Sequence, residues 1–209
     1  MVIGMIVTEI LAITKSRYKV VLEGNIQFVL YKGELNRYHI KQGEEVSDEA
    51  YQSIFHEILP KRAKLRCMNL LKSRDYTRKQ LEGKLKQGGY PPDIVSGALS
   101  YVESYGYIDD ERYARNFIEY NISSKSRIRI GNDLMKKGIG KELIRKAFDE
   151  LEDIGVEIDE EDMIHKLLLK KNYNTQTATS DERRKMFAFL YRKGFHSDTI
   201  CRALLLDIT

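Results

Sequence analysis

Apolar residues follow one template at three places in the chain, and this repeat is the strongest pattern in the sequence. The first copy comprises Leu81, Leu85, Gly89, Tyr90, Val95, Ala98 and Leu99. The second copy, 49 residues later, comprises Ile130, Leu134, Gly138, Ile139, Ile144, Ala147 and Phe148. The third copy, 56 residues further on, comprises Met186, Leu190, Gly194, Phe195, Ile200, Ala203 and Leu204. Periods of this size indicate an array of helical units, each of which buries its apolar face partly against a neighbour.

Capping residues divide the helical part of the chain, which begins near residue 60, into separate helices. Thr77 and Gln80 have the spacing of a capping box, and Gly89 suits the left-handed conformation that ends many helices. Asp109 or Asp110 is a natural N-cap for the helix that follows. The predicted helices are 60–73, 77–87 and 92–104 in a first unit, 110–122, 127–137 and 140–153 in a second, and 159–171, 181–193 and 197–206 in a third.

The first 46 residues have the composition of strands instead. Residues 6–13, 18–22 and 27–30 are short runs rich in β-branched and aromatic side chains. Gly24, between Glu23 and Asn25, predicts a hairpin turn between two of these runs. Ser47 is a good N-cap for a helix over 50–59. Three or four strands have little core of their own, so we expect this β module to lean on the helices that follow it.

The predicted fold is therefore mainly α, with three tandem three-helix repeats preceded by a small N-terminal β module. The predicted boundaries are 1–58 for the β module with its connecting helix, 59–104 for the first repeat, 105–155 for the second and 156–209 for the third.

Composition indicates a cytoplasmic protein. The chain contains no apolar run of roughly 18 residues, the length that a transmembrane helix needs. Its apolar start has no basic residue before Lys15 and is interrupted by Glu9, which argues against a signal peptide. Cys67 and Cys201 lie 134 residues apart in helical contexts, which favours two buried thiols in a reducing compartment over a disulfide or a metal site.

Positive charge is concentrated in the first repeat. Residues 59–103 contain 10 basic and 4 acidic side chains, a net charge of +6, whereas residues 1–58 have a net charge of −2. The segments 104–155 and 156–209 are both neutral, with 10 and 9 side chains of each sign, respectively. The excess in the first repeat could meet a phosphate backbone or an acidic protein face, and a solvated helix face is the simpler alternative.

The sequence contains no arrangement of residues that indicates catalysis. The histidines are scattered without the spacing of metal ligands: His39, His56, His165 and His196. No glycine-rich phosphate-binding motif follows a predicted strand. Asp109 and Asp110 could serve acid–base chemistry or bind Mg²⁺, but helix capping explains them more simply. We therefore predict a non-enzymatic protein that has no cofactor and no metal site.

Basic side chains at particular helix positions are the candidate contacts to a partner. Arg78 and Lys79, and likewise Arg127 and Arg129, fall in first helical turns, where the helix dipole disfavours positive charge. A phosphate at the helix start would suit this placement. Lysines in a last turn, such as Lys136, need no external partner, because the helix dipole stabilises positive charge at the C-terminal end of a helix. The full candidate set is Arg74, Arg78, Lys79, Lys125, Arg127, Arg129, Lys136, Lys137 and Arg145.

Residues 73–117, SRDYTRKQLEGKLKQGGYPPDIVSGALSYVESYGYIDDERYARNF, resemble the RecX family of recombinase regulators. The likeness includes the capped helix, the Gly-Tyr pair and a junction motif that contains Asp109, Asp110, Arg112 and Tyr113. Residues 131–151, GNDLMKKGIGKELIRKAFDEL, resemble the second repeat of that family. The resemblance covers 59–209, and the β module resembles an N-terminal extension that some members have. The third copy departs most, with Glu182 where Thr77 and Ser126 stand.

The resemblance implies a regulatory protein that binds the RecA–DNA filament. It implies inhibition of the recombinase, ATPase and coprotease activities of RecA, and hence regulation of homologous recombination, DNA repair and the SOS response. A stacked array of repeats presents a repeated surface suited to several subunits of a helical polymer. The implied partners are the RecA filament and single- or double-stranded DNA, with no membrane, and we expect a monomer.

Two alternatives remain from other functional classes. The first is a helix-turn-helix DNA-binding protein that acts without RecA, in which the third helix of a unit would enter the major groove. Residues 93–104, DIVSGALSYVES, offer almost no Arg, Asn or Gln for base edges, which counts against specific readout. The second alternative is a structural adaptor with an unrelated protein partner.

Overall fold

The computed structural model describes residues 5–205, which comprise a small sheet followed by a mainly helical chain. The predicted fold class, a β module followed by three-helix repeats, is confirmed. The chain forms two compact units, one up to Asp109 and one from Asp110 onward. Residues 1–4 and residue 206, the predicted end of the last helix, lie outside the described range.

The first unit begins with a four-stranded antiparallel sheet. Its strands are β1 (Met5–Ala12), β2 (Arg17–Leu22), β3 (Gln27–Tyr31) and β4 (Glu45–Val46), in the spatial order β3-β2-β1-β4. A 3₁₀ turn over Glu23–Asn25 joins β2 to β3, which confirms the predicted hairpin. Val20, Leu22 and Phe28 share one core with Ile54 and Leu59 of the next helices. As predicted, the sheet depends on those helices for its core.

A short helix, α1 (Lys32–Arg37), follows β3, where the sequence pattern predicts only strands. One carboxylate oxygen of Glu34 accepts the Tyr31 N–H at 2.8 Å, and the other pairs with the guanidinium of Arg62. Arg62 also donates to the carbonyl of Val29 at 3.2 Å. The prediction is wrong here because part of this stabilisation is tertiary and leaves no periodic pattern in the sequence.

The helical segment after β4 is continuous. It comprises α2 (Asp48–Gln52), a π-helical turn (Ser53–Ile58) and α3 (Leu59–Leu71). Ser47 caps it as predicted, since its Oγ accepts the Ala50 N–H at 3.2 Å. The sequence predicts separate helices over 50–59 and 60–73, but the structure has no break between them at Pro60. Leu59 N–H bonds to the carbonyl of Ile54, five residues back, so the missing N–H of Pro60 falls where regular helical bonding is already displaced.

The first three-helix repeat consists of α3, α4 (Arg78–Gln87) and α5 (Pro92–Ser104). The predicted capping box is present: the Gln80 N–H donates to Thr77 Oγ1 at 3.2 Å, and Gln80 Oε1 accepts the Thr77 N–H at 3.1 Å. The repeat template marks its core correctly, because these template residues are all buried: Leu81, Leu85, Val95, Ala98 and Leu99.

Both cysteines are free thiols, as predicted, but they differ in burial. Cys67 on α3 is fully buried, and this burial raises the pKa of its thiol to about 11. Cys201 is only half-buried, so the prediction of two buried thiols holds for Cys67 alone.

Gly89, just after α4, offers a test of the contact between the β module and the first repeat. Its φ is 80°, and a Cβ added there would lie 2.3 Å from Val29 Cγ2. We expect Gly89→Ala to lower the free energy of unfolding by more than ~1 kcal/mol, because both the backbone and the contact oppose a side chain. Gly83→Ala is the control, since Gly83 lies within α4 with open space around it and should gain ~0.5–1 kcal/mol. Denaturant unfolding measures both, and the same sign for the two variants would contradict this assignment.

The second unit contains two further three-helix repeats. Their helices are α6 (Asp110–Asn121), α7 (Arg127–Lys136), α8 (Lys141–Asp153), α9 (Glu160–Lys170), α10 (Ser180–Arg192) and α11 (Ser197–Leu204). Each repeat has its own core, which includes Leu134 in the second repeat and Leu190 in the third. In the third repeat, Glu182 stands at the template position that Thr77 and Ser126 occupy as N-caps in the other two. The N-cap there is instead Thr179, about one turn earlier, and Glu182 completes its capping box.

The second and third repeats meet where α7 begins and α10 ends. Ser126 is buried there, and its Oγ accepts the Arg129 N–H at 3.3 Å and donates to the carbonyl of Lys193 at 3.1 Å. Gly194 leaves room for this contact, because a Cβ would lie 2.8 Å from Ser126 Oγ. The positive end of α7 thus faces the negative end of α10, an arrangement that the two helix dipoles favour.

Candidate functional site

A basic cleft lies between the second and third repeats, within the second unit. Its volume is about 500 Å³. Buried Met163 and Phe195, together with Leu167, supply its apolar lining, and Ser124 also lines it. The cationic side chains that line it are Lys125, Arg129, Lys166, Lys170, Arg192 and Lys193.

Three separate elements bring these cations together. Lys125 and Arg129 flank the Ser126 cap at the start of α7. Lys166 and Lys170 lie four residues apart on α9 and therefore share one helix face. Arg192 and Lys193 end α10, where the bond from Ser126 to the Lys193 carbonyl holds the backbone against α7.

Within residues 5–205, two carboxylates pair with the six cations. Asp133 Oδ2 lies 2.9 Å from Lys125 Nζ, and Asp133 Oδ1 lies 3.6 Å from Arg129 Nε. Asp162 Oδ2 lies 2.5 Å from Lys166 Nζ. Lys170, Arg192 and Lys193 form no ion pair with any residue in the range 5–205. Positive charge in a last helical turn complements the dipole, but their convergence with Lys125 and Arg129 leaves an excess of four positive charges in one cleft.

Asp133 is a probe of this electrostatic environment. The hydrogen bond from Lys125 holds the pKa of the Asp133 carboxyl below its ordinary 3.8, and the positive charges of Arg129 and Lys136 add to the effect. A carboxyl whose pKa is lowered in the folded state stabilises the fold above its unfolded pKa and loses that contribution as the pH falls through the folded value. The pair with Lys125 therefore contributes at neutral pH and weakens only in acid.

Lys125→Met is expected to raise the pKa of Asp133 towards 3.8, because the variant loses the hydrogen bond and the nearest charge together. Lys136→Met is the matched control and should raise it less, since Lys136 acts only through longer-range attraction. Carbon-13 NMR titration of the side-chain carboxyls measures both values. Equal shifts in the two variants would show that the Lys125 contact is not the main cause.

A carboxylate of the protein itself, that of Glu160, already lies at the start of α7. The Arg127 N–H donates to Glu160 Oε1 at 2.8 Å. The Arg127 side chain pairs with Glu152, lies 3.9 Å from Asp149 and has its guanidinium 4.3 Å from the Phe148 ring centroid. The sequence predicts a phosphate contact at this helix start. Arg129 lines the cleft and is the better candidate for this contact, whereas Arg127 does not line the cleft.

The candidate cations of the first repeat lie on the other unit and face carboxylates or rings. Arg74 lies 4.5 Å from the Tyr76 ring centroid, and Arg78 Nε lies 3.4 Å from Glu103 Oε2. Lys79 pairs with Glu82 at 3.1 Å, and hydrogen bonds from Lys86 and Lys79 lower the pKa of Glu82 to about 2. The Arg78–Glu103 pair is solvent-exposed, whereas Tyr76 is buried and Glu82 is half-buried. Exposed ion pairs contribute about 0–1 kcal/mol, so an external phosphate can displace the Arg78–Glu103 pair.

The remaining candidates are spread over the second unit. Lys136 is exposed in the last turn of α7, and Lys137 lies 5.3 Å from the Phe117 ring centroid. Arg145 pairs with Glu142 at 2.8 Å on α8. In the junction motif, α6 begins at Asp110 directly after Asp109, as the capping prediction requires, and Arg112 is exposed on α6. Tyr113 stacks on Phe117 with ring centroids 6.3 Å apart.

Of the nine candidate cations, Lys125 and Arg129 are therefore the two that the structure places in the cleft. The four cleft cations that the sequence did not single out come from the third repeat: Lys166, Lys170, Arg192 and Lys193. The sequence does contain a signal for two of these four residues. Arg192 and Lys193 precede Gly194 just as Lys136 and Lys137 precede Gly138 at the equivalent template position. A comparison of charges at equivalent template positions finds this pair, whereas a count of charges per segment does not.

The cleft is suited to an anion with several oxygens and some apolar surface, such as a nucleic-acid phosphate with its sugar. Arginine donates in a planar fork that matches phosphate oxygens, and lysine supplies a point charge. Within residues 5–205 no cluster of three or more His, Cys, Asp or Glu side chains is arranged to hold a metal ion. In the same range no helix is long and apolar enough to cross a bilayer.

Comparison with protein families supports the repeat boundaries seen in the fold. The model described as "RecX, first three-helix domain" matches residues 63–101. The models described as the second and third three-helix domains of RecX match residues 109–147 and 159–204.

Curated relatives and solved structures match the chain over most of its length. The "Regulatory protein RecX" of Caldanaerobacter subterraneus is 33% identical over 97% of this chain and 100% of its own length. That of Clostridium botulinum is 27% identical over 77% of each chain. A crystal structure of a regulatory protein RecX covers 96% of this chain and 98% of its own, with a TM-score of 0.62 and 23% identity. RecX from Lactobacillus salivarius has a TM-score of 0.58 and 21% identity, over 70% of this chain and 95% of its own.

Proposed function

Because this chain belongs to the RecX family of regulatory proteins, we propose that it binds the RecA–DNA filament and inhibits its recombinase, ATPase and coprotease activities. Through this contact it regulates homologous recombination, DNA repair and the SOS response. It acts as a monomer in the cytoplasm, by binding alone, with no catalytic step and no cofactor. A binder of this kind shifts an assembly equilibrium towards the state that it binds more tightly.

The observation that supports a DNA-bound partner most directly is the basic cleft. A regulator that acts on a filament formed on DNA meets phosphates as well as protein, and six cations with two paired carboxylates provide a site for them. The exposed cations of the first repeat supply a second, weaker basic surface. Several modest contacts linked in one chain increase the overall affinity by raising the effective concentration of the later ones.

The test is the ATPase rate of RecA filaments preassembled on single-stranded DNA, with this protein added in substoichiometric amounts. We expect the rate to fall well before one molecule is present per RecA subunit, because a binder that acts on assembly affects many subunits. The protein alone, assayed with the same DNA and ATP, should hydrolyse nothing. Duplex DNA binding measured in parallel tests the alternative of a DNA-binding protein that acts without RecA.

An unchanged ATPase rate together with direct binding to bare DNA would overturn the proposal in favour of that alternative. An unchanged rate without any DNA binding would indicate an adaptor for an unrelated protein. Specific readout of duplex sequence receives no support from α5, because no Arg, Asn or Gln stands at an exposed position of this helix.

A further inference from the structure

Three tyrosine rings lie side by side on the surface of the first unit. Tyr101 on α5 and Tyr105 just after it have ring centroids 4.9 Å apart. Tyr105 and Tyr107 have centroids 6.0 Å apart, with ring planes only 19° from parallel. The three side chains, which we call the tyrosine ladder, are 36%, 62% and 46% exposed. Contiguous exposed aromatic surface of this kind marks an interaction site.

The backbone holds the ladder in place before any ligand binds. Gly106 has a φ of 67°, which turns the chain back at the end of α5. Its N–H donates to the carbonyl of Glu103 at 2.8 Å, and the Tyr107 N–H donates to the carbonyl of Val102 at 2.9 Å. Tyr101 and Tyr105 are one helical turn apart, so local backbone bonds fix the points from which all three side chains project.

Cations adjoin the ladder. The Lys64 ammonium lies 4.5 Å from the Tyr101 ring centroid, so a positive charge lies at one end of the stack. Glu103, the acid between the rings in sequence, is paired with Arg78 at 3.4 Å. The surrounding segment, 59–103, has a net charge of +6. Flat exposed rings next to positive charge are the two elements that bind single-stranded nucleic acid irrespective of its sequence.

We propose that the tyrosine ladder is a stacking platform for the bases of a single-stranded nucleic acid, with Lys64 placed to meet the neighbouring phosphate. Bases of a single strand expose their faces, whereas those of a duplex are stacked inside it, so the platform discriminates single strands from duplexes. This site is separate from the cleft, because it lies on the other unit and uses rings rather than charge as its main contact. It does not require RecA.

The experiment is the binding of the full-length protein to a fluorescein-labelled oligothymidylate, followed by anisotropy. We expect Tyr105→Ala and Tyr107→Ala each to weaken binding roughly 5- to 150-fold, the range for loss of one base–aromatic stack. Tyr105→Phe, which keeps the ring, should bind like wild type. Tyr120→Ala is the matched control, since Tyr120 is 86% exposed on α6 and stacks on no described ring. Circular dichroism confirms that each variant is folded.

The salt dependence separates stacking from charge. Tyr105→Ala should leave the slope of log affinity against log salt unchanged, whereas Lys64→Ala should lower it by about 1 because it removes a phosphate contact. Binding to a duplex should be the same for Tyr105→Ala and wild type.

Three results would overturn the proposal: alanine variants that bind oligothymidylate as tightly as Tyr120→Ala, equal losses on single strands and duplexes, or a loss of binding to DNA-free RecA with oligothymidylate affinity intact. The last result would assign the ladder to a protein partner. An unchanged RecA ATPase rate would not contradict the stacking platform, because oligothymidylate binding is measured without RecA. Unchanged oligothymidylate binding by the tyrosine variants would likewise not contradict the cleft or the regulatory proposal.

Discussion

The variant Lys170→Gln/Arg192→Gln/Lys193→Gln is expected to bind single-stranded DNA and DNA-bound RecA filaments about a hundred-fold more weakly than wild type at low salt. All three side chains line the cleft, and none has an ion-pair partner within residues 5–205. Hydrogen bonds to charged groups contribute about 1.5–3 kcal/mol each, so the loss of two of them accounts for two orders of magnitude. The slope of log affinity against log salt should fall by about 2, since each phosphate contact on a single strand contributes about 0.7.

The control variant is Arg115→Gln/Lys141→Gln/Lys146→Gln, which removes the same charge from α6 and α8 in the same unit. There, Arg115 pairs with Glu150 at 3.7 Å and Lys146 pairs with Glu111 at 3.1 Å, outside the cleft. We expect its affinity to stay within a few-fold of wild type. Equal losses in the two triple variants would show that net charge, not the cleft, attracts DNA. Wild-type affinity in the cleft variant would remove the cleft from the proposal altogether.

Leu134→Ala is expected to lower the free energy of unfolding of the second unit by ~2–5 kcal/mol, the usual effect of removing a buried leucine side chain. Leu134 is fully buried in the core of the second repeat, at the template position that Leu85 occupies in the first repeat. Leu85→Ala should have the same effect on the first unit. Hydrogen exchange during denaturant titration distinguishes the units, because each variant should accelerate exchange mainly within its own unit.

Leu169→Ala is the control for the core prediction. Leu169 lies on α9 but is 76% exposed, so its removal should change stability by no more than about 0.5 kcal/mol. A near-neutral Leu134→Ala would mean that the template does not mark the core. Exchange that rises equally through both units would show that they unfold as one body.

The sequence predicts the helices well because their signals are local. A capping box at Thr77 and Gln80, and a glycine at positive φ after α4, act over a few residues and appear in the structure where the sequence places them. The predictions fail where distant residues decide. Helix α1 depends partly on the pairing of Glu34 with Arg62, and the helix continues through Pro60 because a π turn accommodates it.

The candidate site was predictable only in part, because counting charges along the chain does not say where they meet. Residues 156–209 contain 9 basic and 9 acidic side chains and read as neutral. In the structure, four of those basic residues line one cleft. Asp162, an acid from the same segment, pairs with one of them, Lys166. Glu161, from the same segment, pairs instead with Arg202 at 3.0 Å.

The sequence by itself determined the three-helix repeats, the caps of the first and second copies and most of the core positions, because apolar spacing and capping chemistry operate within one helix or between adjacent ones. In the third copy Thr179 rather than Glu182 is the cap, and Met186 and Ala203 are only partly buried. Only the tertiary structure decided which cations act together. Lys125, Lys166 and Arg192 belong to three elements that are far apart in the chain, and the packing of α7, α9 and the end of α10 places them around one cleft. Their repulsion is tolerated because the cleft is open to water, and an anion that enters it relieves that repulsion.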